Sequence, residues 1–410
     1  MRARTTVPLL FVALAAACAD GGEEDRFQSE VRFSNQNHLF WFKTLRVFGA
    51  FPVQPTVVFT RSGTLNLFDD SSYTLAFTNG TWPKQDYALA DDGKLSIYLL
   101  GGGNEPSTVF LGGYGRVGAD NLLEPGRTPD FFLTDRWSTP NNPAIGVWYG
   151  TEKIDLALDL RYDWHCFSLH TVFNGGVPAP DYVGRAMHGN VAFTGASATA
   201  LLGIAGTGFQ SDSSGAPSNI ALGGTIRYEL DGLTGDGTCT LVFQYDADSR
   251  PMRAATSGNV LHALDDDESD GESDGESDGE AGMIFMVREF DTALDDDDVD
   301  GTFYVGGQTL FVNPLNMGSD TFIGTITLST NGGFRLEAVG NQGVDFVYTG
   351  DWTAAPDGKL TIAINGTNET WHGAIDRTYN TIVVCDDFAE SRSSNQIELN
   401  LMLGIRKKTD

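Results

Sequence analysis

Three aspartates alternate before a glycine at Asp296-x-Asp298-x-Asp300-Gly301. Alternate carboxylates ahead of a tight turn converge on a hard cation, as in a calcium loop of the EF-hand type. Phe303 fits the apolar position that follows such a turn. The twelfth position, where a bidentate acid is required, is Gly307. Two readings follow: Ca²⁺ held by Asp296, Asp298 and Asp300, or a solvated acidic linker. A second candidate group is His165-Cys166 with His170, and His188 further on. On a strand, positions 165 and 170 point to opposite faces, which argues against a shared transition metal. The familiar hydrolase and phosphate-binding signatures are missing: there is no Gly-x-Ser-x-Gly, no His-Glu-x-x-His, and no glycine loop ending in Lys and Ser or Thr. The expectation is a protein without enzymatic activity and without a resident cofactor other than Ca²⁺.

Cysteine is scarce. After Cys18 only Cys166, Cys239 and Cys385 remain, which makes neither a disulfide framework nor a zinc cluster. Cys166 and Cys239 fall in one segment, so a pair or separate buried thiols are both open. The net charge of −29 opposes binding to nucleic acid or anionic lipid. Much of it is local: Asp265 to Glu280 reads DDDESDGESDGESDGE. Such a run cannot pack, because its charges repel and it lacks apolar side chains.

The elements that must position these residues are strands. Short apolar alternations separated by Gly, Asn and Asp clusters run from about Leu39 to Arg406. This period of two, with turn residues every 8–12 positions or so, reads as antiparallel all-β. The chain also repeats itself. Gly63-Thr64-Leu65-Asn66-Leu67, Gly189-Asn190-Val191-Ala192-Phe193 and Gly324-Thr325-Ile326-Thr327-Leu328 align without a gap. Each copy has an aromatic opening strand: Phe40-Trp41-Phe42, Gly146-Val147-Trp148-Tyr149 and Gly301-Thr302-Phe303-Tyr304. Each has an aromatic residue followed by an Asp-Gly turn, at Asp92-Gly93, Asp236-Gly237 and Asp357-Gly358. Each closes on an apolar strand ending in Arg136, Arg288 or Arg406. These landmarks place repeat one at 31–140, repeat two at 141–290 with the acidic loop 265–280, and repeat three at 291–410.

The N-terminus carries Arg2 and Arg4, then a short apolar run from Val7 to Ala17. That run is shorter than the roughly 20 residues a membrane-spanning helix needs. It ends in Leu14-Ala15-Ala16-Ala17-Cys18, which resembles the lipobox of bacterial lipoproteins. The resemblance implies a signal peptide over 1–18, lipidation of Cys18, and a tether over 19–30. The lipid would hold the chain at the cell envelope, with the outer membrane favoured over the inner.

The repeated unit resembles the small lipocalin-like domains of bacterial lipoproteins: Gly-x-Trp on the opening strand, a Gly-led hairpin, an aromatic before a "DGKL" strand, and a terminal arginine. The resemblance implies three tandem up-and-down barrels or sandwiches. It pairs Trp148 with Arg288 and, by position, Trp41 with Arg136 and Phe303 with Arg406. A guanidinium lying on each ring would contribute about 0.5–2 kcal/mol and cover one barrel end. Repeat one lacks the Gly before Trp41, and repeat three has Phe303 in place of Trp. The function expected is non-enzymatic binding, with a small apolar ligand inside a barrel. The alternatives are a structural or adhesive surface lipoprotein with calcium-binding acidic loops, and an enzyme with a pocket in one repeat.

Overall fold

The computed structural model describes residues 38–407, apart from 49–56, 78–79, 101–105, 115–129, 136–143, 154–159, 175–180, 194–198, 203, 212–216, 221–225, 232–233, 246–247, 267–278, 292–293, 295, 313–317, 341–342 and 387–396. Residues 1–37, with the expected signal peptide, Cys18 and the expected tether, lie outside the described residues, as does Arg136. The fold is all-β and antiparallel, with one short helix among the described residues, Asp296–Val299.

The first unit closes on itself. Its strands run in order His38–Phe48, Val57–Leu67, Ser72–Phe77, Gln85–Leu89, Lys94–Leu100, Pro106–Tyr114, Asp130–Asp135 and Ala144–Glu152, and the last pairs with the first. Alternate positions point inward, as a strand period of two requires. Phe40 and Phe42, Leu65 and Leu67, Tyr73 and Leu75, and Phe131 and Leu133 build one interior. The third unit is a strict up-and-down barrel of eight consecutive strands from Gly301–Val312 to Ile397–Arg406. The second unit is a ten-stranded sheet; among the described residues no pairing joins its end strands, Thr199–Leu202 and Pro217–Ile220. The expectation of three lipocalin-like barrels thus holds as two barrels and a further sheet.

One boundary is corrected. Ala144–Glu152, expected to open repeat two, pairs with both Asp130–Asp135 and His38–Phe48. Without it the first unit would have seven strands and an open seam. The second unit opens instead on Asp163–Asn174, which pairs with Gly279–Arg288. One backbone hydrogen bond fixes the equivalence of the three units: Lys153 N–H to Leu39 O (2.7 Å), Glu289 N–H to Asp163 O (2.9 Å) and Lys407 N–H to Thr302 O (2.7 Å). Glu152, Arg288 and Arg406 therefore end the three closing strands, opposite Phe40, Trp164 and Phe303.

Strands Val260–Asp266 and Gly279–Arg288, which flank the acidic run, pair with each other; the run itself, 267–278, lies outside the described residues. Cys166, Cys239 and Cys385 are buried, and no disulfide joins them among the described residues.

The closing strands are apolar on both faces, and the packing explains why. In Gly279–Arg288, Ile284 and Met286 face their own unit, while Met283, Phe285 and Val287 join a core shared by all three units. Leu399, Leu401, Leu403 and Ile405 do the same for the third unit, as do Val147 and Tyr149 for the first. Each such side chain contributes about 1.5–3 kcal/mol by leaving water.

The units meet cyclically. The first two strands of unit one pack on the last two of unit two, those of unit two on unit three, and those of unit three on unit one. Head-to-tail contacts of this kind close into a ring. The Asp-Gly turns are the connectors. Asp236 accepts from Trp41 Nε1 (3.0 Å, backbone O) and lies 3.8 Å from Lys153 Nζ. Asp92 accepts from the Tyr304 hydroxyl and lies 3.3 Å from Lys407 Nζ. Asp357 meets His165 at the remaining junction. Gly93, Gly237 and Gly358 have φ of 90°, 85° and 93°, which is why glycine follows the aspartate each time.

Candidate ligand-binding site

The third barrel has two unlike ends. At the first end Arg406 acts as a plug. Its guanidinium donates to the backbone carbonyls of Asp300 (2.6 Å), Asp298 (2.9 Å) and Val299 (3.2 Å), and its Nε to that of Tyr379. Its Cζ sits 4.8 Å from the centroid of the buried Phe303 ring. A Cβ on Gly301 would lie 2.7 Å from Arg406 Nη1, and Gly301 has φ +144°, so the residue here has to be glycine. Val299 is fully buried beneath this cover.

The opposite end opens into a cavity of about 210 Å³. For scale, a dry apolar cavity of roughly 150 Å³ accepts benzene. Its floor comes from inward positions: Phe322, Leu336, Phe346, Tyr348, Trp371 and Met402. Four edge-to-face contacts chain the rings from Phe322 through Phe346, Tyr348 and Trp371 to Phe334, with centroids 5.6 to 5.7 Å apart. Such contacts hold each ring in place, which keeps the wall rigid. The indole N–H of Trp371 is buried with no hydrogen-bond partner among the described residues, so one donor remains for a ligand oxygen.

The rim is acidic. Asp320, Glu369, Asp386 and Glu398 line it, and no lysine or arginine does among the described residues. Asp386 accepts from Asn400 Nδ2 (3.4 Å), and Asp320 accepts from the Thr321 N–H (2.8 Å). Burial, with Glu369 nearby, raises the carboxyl of Glu398 above the usual range. Burial also pushes the Tyr348 phenol up to about 12, helped by Glu398, Glu369 and Asp386. Val344 stands on the rim 63% exposed, and Val347 nearby is 53% exposed. On the closing strand the inward positions run Glu398, Asn400, Met402, from polar at the mouth to apolar inside.

The residues singled out from sequence are distributed as follows. Phe303 and Arg406 meet, as described. Trp148 does not meet Arg288: it stacks on Phe42 at 5.1 Å inside the first barrel, because its strand belongs there. Arg288 lies instead over Tyr162, 3.1 Å from the ring centroid, and pairs with Asp291 at 3.2 Å. Trp41 has Lys153 Nζ at 5.7 Å from its ring. Lys407 occupies the same place over Tyr304, at 5.4 Å. Asp296 and Asp298 lie in the helical turn and Asp300 directly follows it; the carbonyls of Asp298 and Asp300 are already taken by Arg406.

A second group of ligating side chains, unforeseen in sequence, joins His165, Glu289 and Asp357, with ligand atoms within 4.8 Å of one another. Glu289 approaches Nδ1 (3.8 Å), while Asp357 approaches Nε2 with its carboxylate (3.8 Å) and backbone oxygen (3.1 Å). The acids face different ring nitrogens, so the imidazole lies between them and the three do not converge on one point. Glu289 stands where Lys153 and Lys407 stand at the other junctions. Burial raises its carboxyl, although His165 pulls it down. Nothing in the period-two pattern shows that residues 165 and 357 meet, because they belong to different units.

No family model and no curated protein matches the sequence. Among solved structures, intact Ap-TbpB with its N and C lobes gives a TM-score of 0.28 at 9% identity, covering 93% of this chain and 78% of that one. A double mutant of Transferrin Binding Protein B from Haemophilus parasuis gives 0.29 at 8% identity, covering 91% and 76%. The family 43 glycoside hydrolase YxiA from Bacillus licheniformis gives 0.21 at 12% identity, covering 85% and 78%. All three scores are too low to carry an activity or a partner over to this chain.

Proposed function

We propose that the chain is a non-enzymatic binding module of the cell envelope, and that the mouth of the third barrel is its site for a small apolar ligand. The carrying observation is the aromatic-floored cavity of about 210 Å³, open at one barrel end while Arg406 plugs the other. A rigid barrel with one polar-rimmed, apolar-floored mouth is the usual setting for small-molecule capture. The lipobox-like Leu14 to Cys18 supports anchoring through a lipid on Cys18, at the outer membrane by preference.

The neutral fluorescent probe N-phenyl-1-naphthylamine tests this reading. Titrated into the mature chain, it is expected to brighten and saturate at one site. Gly340→Phe narrows the mouth and is expected to abolish that signal while the thermal midpoint stays within a few degrees. Equal binding by the folded variant would remove the third barrel as the site.

A further inference from the structure

We propose that the junction between units two and three is a proton-operated clasp: with a proton bound, the His165 ring ties Glu289 to Asp357 and closes this seam of the ring of units, and loss of the proton loosens it. The inference stands apart from the ligand reading of the third barrel.

The three junctions share one plan. The backbone hydrogen bonds from Lys153 to Leu39, Glu289 to Asp163 and Lys407 to Thr302 fix the equivalent positions. Two residues further along each opening strand stand Trp41, His165 and Tyr304. Each reaches the Asp-Gly turn of the next unit. Trp41 Nε1 donates to Asp236 O (3.0 Å), the Tyr304 hydroxyl to the Asp92 carboxylate, and His165 Nε2 to Asp357 O (3.1 Å). At two junctions a lysine also faces the turn aspartate: Lys153 on Asp236 (3.8 Å) and Lys407 on Asp92 (3.3 Å). Indoles, phenols and lysines ordinarily keep one charge state across about pH 5–8, whereas imidazoles change theirs. The third junction differs at both positions. Its ring is an imidazole, and Glu289 stands in the lysine's place.

Both nitrogens of the buried His165 ring face acceptors. Nε2 faces the Asp357 backbone oxygen and, at 3.8 Å, its carboxylate. Nδ1 faces Asn190 Oδ1 at 3.3 Å and Glu289 Oε1 at 3.8 Å. A neutral imidazole has one N–H and leaves its other nitrogen against these oxygens, while a doubly protonated ring donates on both sides. Without the proton the seam gathers Glu289, Asp357 and Asp163, all of one sign. Burial raises the Glu289 carboxyl; His165 pulls it down, and Asp357 and Asp163 push it further up. A raised folded value means that the bound proton favours the closed junction at low pH, and that this contribution is lost as pH rises through the folded value. The neighbouring guanidinium groups of Arg288 and Arg377 both pair with Asp291, at 3.2 and 2.6 Å. Further along the interface His188 stacks on His372 at 4.1 Å, and these two rings are the same in every variant compared.

The test compares the mature full chain with Glu289→Lys, which copies the other two junctions, at pH 8 and pH 5.5. The variant is expected to melt about 2 °C or more above wild type at pH 8 and to lose at least half of that advantage at pH 5.5. His165→Gln, which keeps a donor but takes no proton, is expected to lower the midpoint more at pH 5.5 than at pH 8. Hydrogen exchange, corrected for the intrinsic effect of pH, gives the local readout, because the Phe290 N–H donates across the seam to Asp357 O (3.0 Å). Its protection is expected to rise roughly threefold or more from pH 8 to pH 5.5 in wild type, and at most half as much in His165→Gln. Glu289→Lys melting at or below wild type at pH 8, or keeping the same advantage at both pH values, overturns the clasp. Equal loss in His165→Gln at the two pH values, or Phe290 protection that ignores pH in wild type, overturns it too. Should Glu289→Lys fail to fold, Glu289→Gln is read in its place, with the same signs and about half the shift.

Discussion

The two ends of the third barrel begin from the same repeat and finish differently. At the plugged end a guanidinium is held by four backbone carbonyls and an aromatic ring, and the end butts against the first unit through Lys407, Tyr304 and Asp92. At the open end, rings and carboxylates face a cavity. One end uses polar groups to complete the fold. The other keeps acids close together, where Glu398 pays in desolvation for its place. The lesson is that stability and binding are separated along the barrel axis, so changes at the two ends should have opposite signs.

The largest effect is expected from Arg406→Ala. It leaves the carbonyls of Asp298, Val299, Asp300 and Tyr379 without their donor and removes the contact over Phe303, a loss of about 3 kcal/mol or more. Denaturant unfolding should show this as a lower midpoint, and Arg406→Lys should restore less than half, since one ammonium cannot fork to four carbonyls. A midpoint equal to wild type would dissolve the distinction between the ends.

Glu398→Gln is expected to do the reverse. The folded carboxyl titrates above its unfolded value, so its contribution favours folding at low pH and is lost as pH rises through the folded value. At pH 7.5 the ionised group is a penalty, and its removal should raise the thermal midpoint by roughly 2 °C. At pH 4 the two proteins should melt together. A lower midpoint at pH 7.5 would show that Glu398 is structural and the ends are alike. A smaller effect belongs to Lys407→Ala, whose partner Asp92 is a third exposed, as is the lysine itself. Screening limits that pair to less than about 1 kcal/mol, and added salt should shrink the difference further. The smallest stability change is expected for Val344→Asp, already exposed; its signature should be naphthylamine affinity weakened by several fold with the melting curve unmoved.

Much of the scaffold was legible in the residues. Gly63, Gly189 and Gly324 fall on the second strand of their units, Val57–Leu67, Asp181–Ala192 and Gly318–Leu328. The placement of Gly146-Val147-Trp148-Tyr149 went one strand astray, because an inward Trp flanked by outward Val and Tyr looks the same on a first strand and a last one. Only the pairing with His38–Phe48 separates them. The Asp-Gly turns were visible as turns but not as connectors, since a repeat pattern does not say which neighbour each copy touches. The cavity was hidden for a packing reason. Inward aromatics line both barrels, Phe40, Phe42 and Phe131 in the first and Phe322, Phe334 and Trp371 in the third, so the period-two pattern does not mark where a cavity lies. The one local hint was the graded inward series Glu398, Asn400, Met402, with Glu369-Thr370-Trp371 repeating acid before ring.

A crystal structure of the mature chain grown with N-phenyl-1-naphthylamine tests the central claim most directly. The account predicts ligand density bounded by Phe346, Tyr348, Trp371 and Met402, with Arg406 still seated on Phe303 at the far end. Density for the probe outside the third barrel, with those four side chains collapsed onto one another, would contradict it.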